Sequence, residues 1–307
     1  MDPVLLLINL VLALVLAPLV NGVIKKSKAG WQNRKGPGIL QPWFDICKYF
    51  GRESVVSEHA SWLFRLAPYV YFGAHLAAMG LVPTVIARSP LAGMGDAIVL
   101  VGLLALARFF LALASLDTGS NFGGMGASRE LAFASMVEPA LLICIFALAI
   151  PAGSTALGAL VGDGGITIAR LLALGGLFIV TIAETGRLPI DNPDTHLELT
   201  MAHEGMLLEY SGRPLALILW ATHVKQMVVL SLLAAFFFPW GIARELTMGA
   251  LGVGLLAYVL KLGLLGLVLA LVETTSIKLR IFRIPELLGV ASLLGLLAVT
   301  SIYLGGG

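Results

Sequence analysis

Charge is scarce in this 307-residue chain: Asp, Glu, Lys and Arg make up 12% of it and hydrophobic residues 58%. A soluble domain of this length needs a charged surface, so a mean hydropathy of +0.95 excludes that class and implies an integral membrane protein. Cysteine is nearly absent. Cys47 and Cys144 fall in different topological zones, which argues against a disulfide and leaves no Cys cluster for iron–sulfur or metal ligation. No Gly-rich loop sits in a strand–turn–helix setting, so no nucleotide site is expected. No internal repeat is evident, which argues against an inverted-repeat transporter. The net charge of +2 is small, and no nucleic-acid partner is expected.

What the chain has instead is a series of long apolar runs. Bilayer-spanning lengths occur at roughly 4–24, 66–87, 96–116, 130–151, 166–184, 214–239, 247–272 and 285–304. The expectation is an all-α polytopic protein with about eight spans in one membrane domain, 1–307. The first run has no basic start, and Lys25, Lys26 and Lys28 follow it, so it reads as a retained span and not as a cleaved signal.

Lysine and arginine set the expected orientation. The connections after odd-numbered spans hold fourteen: Lys25, Lys26, Lys28, Arg34, Lys35, Lys48, Arg52, Arg65, Arg129, Arg187, Arg213, Lys278, Arg280 and Arg283. Those after even-numbered spans hold three, Arg88, Arg170 and Arg244. This bias predicts a cytoplasmic side made of segments 25–65, 117–129, 185–213 and 273–284, with both termini outside. All the long, chemically rich segments lie on that side, as on a platform for a cytoplasmic partner.

The densest of them, with Glu184 at its border, contains Arg187, Asp191, Asp194, Glu198, His203, Glu204, Glu209, Tyr210 and Ser211. A solvated loop would be the bland reading. The acids alternate with Pro, Gly and apolar residues, however, which suggests a fixed site. Asn192-Pro193 fits an N-cap with proline in the first helical position, predicting a helix to about Tyr210 that presents acids inward. Within the spans, Arg108 and Lys261 read as structural ion pairs or snorkelling side chains. Glu138 and Lys225 lie deeper with opposite charge and read as a proton or charge relay. His203-Glu204 lacks the second histidine of a helical zinc-protease motif, and His196 is too far from His203 for joint ligation. His75 and His223 are weak haem candidates, and no redox centre is expected in this chain.

Several motifs, in order, resemble those of one family. They are Asn33-Arg-Lys-Gly-Pro37-Gly-Ile-Leu-Gln41-Pro, Arg129 with Glu138, Ala183-Glu-Thr-Gly-Arg187-Leu-Pro-Ile-Asp191, and Glu209-Tyr-Ser-Gly212. The family is the membrane subunit shared by respiratory complex I (NADH dehydrogenase subunit 1) and the group 4 energy-converting nickel–iron hydrogenases and formate hydrogenlyases. Leu116-Asp-Thr-Gly-Ser120, Gly126-Ala-Ser-Arg-Glu130 and Glu138-Pro139 resemble the formate hydrogenlyase and hydrogenase-4 branch.

The resemblance implies an anchor and coupling subunit in the bacterial or archaeal cytoplasmic membrane. Its soluble partners would be hydrogenase-like large and small subunits and an iron–sulfur protein, carrying the nickel–iron centre and clusters. Antiporter-like subunits would be its membrane partners, and a quinone would enter only in the complex I alternative. Glu138, Glu184, Asp191, Asp194, Glu198, Glu204, Glu209 and Lys225 would couple ion movement, whereas Arg34, Lys35, Arg129 and Arg187 would serve docking. A stand-alone channel or carrier is the remote alternative.

Overall fold

The structure is a computed structural model that describes residues 3–304 apart from 59, 88–90, 92–93, 163–164, 166, 192–201 and 245–246. Its long helices are α1 (Pro3–Trp31), α3 (Trp62–Leu81), α4 (Ala97–Asp117), α5 (Asn121–Ala152), α6 (Ile168–Glu184), α8 (Gly212–Phe237), α9 (Met248–Thr275) and α10 (Ile284–Leu304). Two short helices, α2 (Gln41–Phe50) and α7 (His203–Leu207), lie in the connections. Each apolar run of the sequence coincides with one long helix. Six of these are long and apolar enough to cross a membrane: α1, α4, α5, α8, α9 and α10. The protein is an all-α polytopic membrane protein, and among the described residues extended pairing is confined to the bridges Ile86–Ala243 and Asp96–Ala156.

Helix starts follow local capping chemistry. Ser61, Asp96, Thr167 and Thr247 each accept a bond from a backbone N–H of the first turn of α3, α4, α6 and α9. Central position falls to α8, in which every residue from Val224 to Phe236 is buried. A helix apolar all round needs neighbours all round, and α8 meets α1, α2, α3, α6 and α9. Small residues close the contact of α5, α6 and α10: a Cβ on Gly176 would lie 2.6 Å from Cys144 Sγ and 3.0 Å from the Ala291 carbonyl oxygen.

Helix α2 is tied to α1 and α8 through two tryptophans. Pro18 in α1 has no N–H for the carbonyl of Leu14, four residues before it. That carbonyl accepts from Trp220 Nε1 at 3.1 Å, and the adjacent Val15 carbonyl accepts from Trp43 Nε1 at 3.2 Å. The two indoles meet edge-on, with centroids 5.4 Å apart. Trp43 and Phe50 therefore face inward toward Trp220, whereas Trp31 and Phe44 remain exposed.

The predicted acidic helix ending at Tyr210 falls largely outside the described residues. Among the described residues it is the five-residue α7. The α7 face that docks is apolar: Gly205, Met206 and Leu207 are buried, and a Cβ on Gly126 of α5 would lie 2.7 Å from the Ala202 carbonyl oxygen. Backbone contact at that distance leaves no room for acids to point inward from this face. Asn192, Pro193, Asp194, His196 and Glu198 lie outside the described residues.

Candidate functional site: two linked charge clusters

Arg108 is the hub of the first cluster. It is buried in the apolar helix α4, where an isolated guanidinium would be costly. Three carboxylates surround it. Arg108 Nη1 donates to Glu138 Oε1 at 2.6 Å, Nη2 donates to Glu184 Oε1 at 2.5 Å, and Nε lies 3.6 Å from Glu130 Oε1. The planar fork of arginine allows one side chain to bind acids from both α5 and α6. Lys225 of α8 adds a second cation, 3.8 Å from Glu184 Oε2. The cluster is graded in exposure: the Glu184 side chain is 0% exposed, that of Glu130 16% and that of Glu138 30%. Glu138 is thus its open edge.

Arg187 holds the second cluster. Helix α6 ends in a Schellman turn, with Arg187 N–H bonded to the Ile182 carbonyl, Gly186 N–H to the Ala183 carbonyl, and Gly186 at φ 58°. This left-handed glycine reverses the chain and directs Arg187 away from the side chain of Glu184. Arg187 Nη1 donates to Glu273 of α9 at 2.6 Å, and Nη2 donates to Asn21 of α1 and Gln226 of α8, each at 2.8 Å. Lys28 approaches the second oxygen of Glu273 at 3.4 Å, and Asn21 also meets His223 Nε2 at 2.6 Å. Asp191 closes this side. It accepts from Lys278 Nζ at 3.0 Å and from the Ala202 backbone N–H at 3.1 Å.

A cavity of about 140 Å³ joins the clusters, lined among others by Glu130, Glu184, Arg187, Lys225, His223 and Glu273. Glu184 Oε2, Arg187 Nε, His223 Nδ1 and Gln226 Nε2 have no hydrogen-bond partner among the described residues. Polar atoms left bare around such a volume suit internal water. His203 also lines the cavity, and its Nε2 lies 3.2 Å from Thr222 Oγ1. Burial, with the Lys225 ammonium nearby adding to it, lowers the His203 pKa to about 3.

The end of this connection is clasped to the bundle. Tyr210 stacks on Phe64 with centroids 4.0 Å apart and donates to the Phe64 carbonyl at 3.0 Å. Burial, reinforced by Asp117, pushes its phenol up from the ordinary value. Ser211 Oγ accepts from the Val55 N–H at 2.8 Å and lies 3.0 Å from the Val55 carbonyl, joining two loops.

The sequence profile of the NADH dehydrogenase family matches residues 4–304. The chain belongs to that family. Within the family, it is 38% identical over 286 residues to formate hydrogenlyase subunit 4 of Escherichia coli K12, covering 92% of each chain. It is 39% identical over 278 residues to hydrogenase-4 component C of the same organism, covering 89% of this chain and 87% of that one. The fold is similar to a chain in the structure of the membrane-bound sulfane sulfur reductase, an archaeal respiratory membrane complex. That match has a TM-score of 0.79 and 21% identity and covers 95% of this chain and 98% of the other.

In this NADH dehydrogenase family member, Glu184, Asp191, Glu204 and Lys225 all border the joined clusters. The structure assigns their partners. Glu138 and Lys225 do not pair with each other: Arg108 takes Glu138, and Glu184 stands beside Lys225. Glu209 is exposed, because Tyr210 uses the inward position at the end of the connection. Arg34 and Lys35 are exposed, Arg129 is half-buried, and Arg187 faces inward into its own network.

Arg108, expected to be a structural ion pair or a snorkelling side chain, is ion-paired with three carboxylates, and it is the lone charged residue between Ala97 and Leu116. Asn21 and Gln226 carry no sequence signal, since nothing local distinguishes a buried amide from an exposed one, and Glu273 lies at the end of an apolar run, where a solvated carboxylate is equally expected. Lys261, read as a snorkelling or paired side chain, is buried with its ammonium 4.9 Å from the Trp240 ring centroid. His75 and His223 each already bond through one ring nitrogen, to the Tyr71 carbonyl and to Asn21. Among the described residues, no group of three His, Cys, Asp or Glu side chains is arranged to hold a metal ion.

Proposed function

We propose that this chain is the membrane anchor and energy-coupling subunit of a complex-I-related hydrogenase or formate-hydrogenlyase-like complex. It docks a soluble redox module on the cytoplasmic side and links electron transfer there to proton or sodium translocation. The observation that carries the reading is the pair of buried charge clusters joined by one cavity. It extends from Asp191 and Lys278 in the connections, past Arg187 and Glu273, through the cavity to Glu184, Lys225 and Arg108, and ends at half-buried Glu138. Buried charges are retained at a cost of several kcal/mol each, and a connected set with one open edge suits transfer of charge to a neighbouring membrane subunit.

The relatives named for formate hydrogenlyase and hydrogenase-4 favour the hydrogen branch over a quinone-reducing complex. The nickel–iron centre and iron–sulfur clusters would then lie in the partner subunits. The excess of Lys and Arg on the odd-numbered connections supports the orientation with both termini outside.

The test is Glu138→Gln in the assembled complex, reconstituted into vesicles. Ion movement per electron is expected to fall sharply while electron transfer at the partner's metal site persists. Unchanged ion movement in an assembled variant would remove Glu138 from the coupling path.

A further inference from the structure

A second, much smaller cavity of about 10 Å³ lies beside the charge clusters, lined by Tyr71, His75, Arg108, His203, Met206 and Lys225 among others. That is close to the volume one water molecule needs. The hydrogen-bond arithmetic of its two histidines defines what it takes. His75 is 1% exposed, and its Nδ1 lies 2.8 Å from the Tyr71 carbonyl oxygen. A carbonyl only accepts, so Nδ1 carries the proton, and in a neutral ring Nε2 is then a bare acceptor. This Nε2 has no partner among the described residues.

His203 arrives at the same condition by another route. Thr222 has one hydroxyl proton, and it goes to the Ile218 carbonyl at 2.9 Å. Thr222 Oγ1 can therefore only accept from His203 Nε2, 3.2 Å away, which leaves His203 Nδ1 as the bare acceptor. Nδ1, too, has no partner among the described residues. The Tyr71 ring lies beside both imidazoles, with its centroid 4.4 Å from His75 and 6.3 Å from His203. Two acceptors thus border one small cavity that also holds the Lys225 ammonium, which has donors to spare.

We propose that the cavity is a one-water site, in which the water donates to His75 Nε2 and His203 Nδ1 and accepts from Lys225. The site gives protons a histidine branch from the connection at His203 to the Lys225–Glu184 pair, beside the carboxylate route. The relay half of this inference rests on the coupling function proposed above; the water site stands on the geometry alone. Low basicity of His203 keeps its ring neutral at rest, so Nδ1 remains an acceptor near neutral pH.

The direct test is cryo-electron microscopy of the complete complex at a resolution that shows ordered water. One density peak within hydrogen-bonding distance of both nitrogens is expected, and its absence overturns the site. His75→Asn keeps a donor for the Tyr71 carbonyl and removes the acceptor facing the cavity. His203→Gln does the same for Thr222.

In vesicles, each variant is expected to lower protons moved per electron to a fraction of the wild-type value, because the histidine branch is lost while the carboxylate route remains. Wild-type stoichiometry in either assembled variant overturns the relay while leaving the water site standing. A wild-type complex that moves no protons would instead sink the relay together with the proton-coupling reading on which it rests. If neither variant assembles, the wild-type density decides both: without a water bridging the two rings the histidine branch has no link, and the relay falls with the site.

Discussion

Glu184 and Arg187 are three residues apart and serve opposite networks. Glu184 binds Arg108 in the buried cluster, whereas Arg187 binds Glu273, Asn21 and Gln226 on the far side of the cavity. The left-handed turn at Gly186 separates them. Without it the two opposite charges would sit one helical turn apart and could neutralise each other. With it, each is free to hold a different part of the bundle, and the cavity lies between them.

Loss of either partner of a buried pair should be more damaging than loss of an edge group. Glu184→Gln removes a carboxylate whose side chain is 0% exposed and leaves Arg108 and Lys225 with less countercharge. The expected cost is about 3–5 kcal/mol. Glu138→Gln, at the half-buried edge, should cost clearly less. Thermal unfolding of the two purified variants checks the order, and equal loss of Tm would show that the exposure gradient has no energetic meaning.

Arg187 and Glu273 should be coupled. Arg187→Ala leaves the buried Glu273 carboxylate to Lys28, 3.4 Å away, and should destabilise the protein by about 3–5 kcal/mol. Adding Glu273→Gln should recover part of that loss, because the stranded charge is removed with its partner. A double-mutant cycle that came out additive would break the assignment of this pair.

His203 gives the connection a pH dependence. Its folded-state pKa of about 3 lies below the ordinary value of 6.5. The undocked chain therefore binds a proton more readily. Stability from docking is fully present above pH 6.5 and declines as pH falls toward 3. Hydrogen exchange of residues 202–210 should accelerate across that window, and His203→Gln should flatten the response.

Orientation can be read from a natural thiol. Cys47 on α2 is exposed and Cys144 is buried. A membrane-impermeant maleimide should label Cys47 only after intact cells are permeabilised. Labelling from outside would invert the topology and with it the docking side.

Docking should depend on the exposed basic pair Arg34 and Lys35. The double reversal Arg34→Glu with Lys35→Glu is expected to release the soluble module from membranes while this chain remains inserted. A module still bound after a salt wash would place the docking contacts elsewhere.

The helices were legible because bilayer thickness translates directly into run length: each apolar run longer than about 17 residues became one long helix. Glu184, Asp191 and Lys225 were legible as site residues because charge in such surroundings is rare and local to see. Partnership was not legible. Arg108 meets carboxylates 30 and 76 positions away, and Arg187 meets Asn21 across 166.

Apolar periodicity says which residues enter the membrane, but the rotation of each helix decides which buried charges face each other. That rotation is set by close contacts such as Gly126 beneath Ala202 and Gly176 against Cys144. Tertiary packing alone therefore paired Glu138 with Arg108, exposed Glu209, and turned Trp220 onto the Leu14 carbonyl that Pro18 had left without its helical donor.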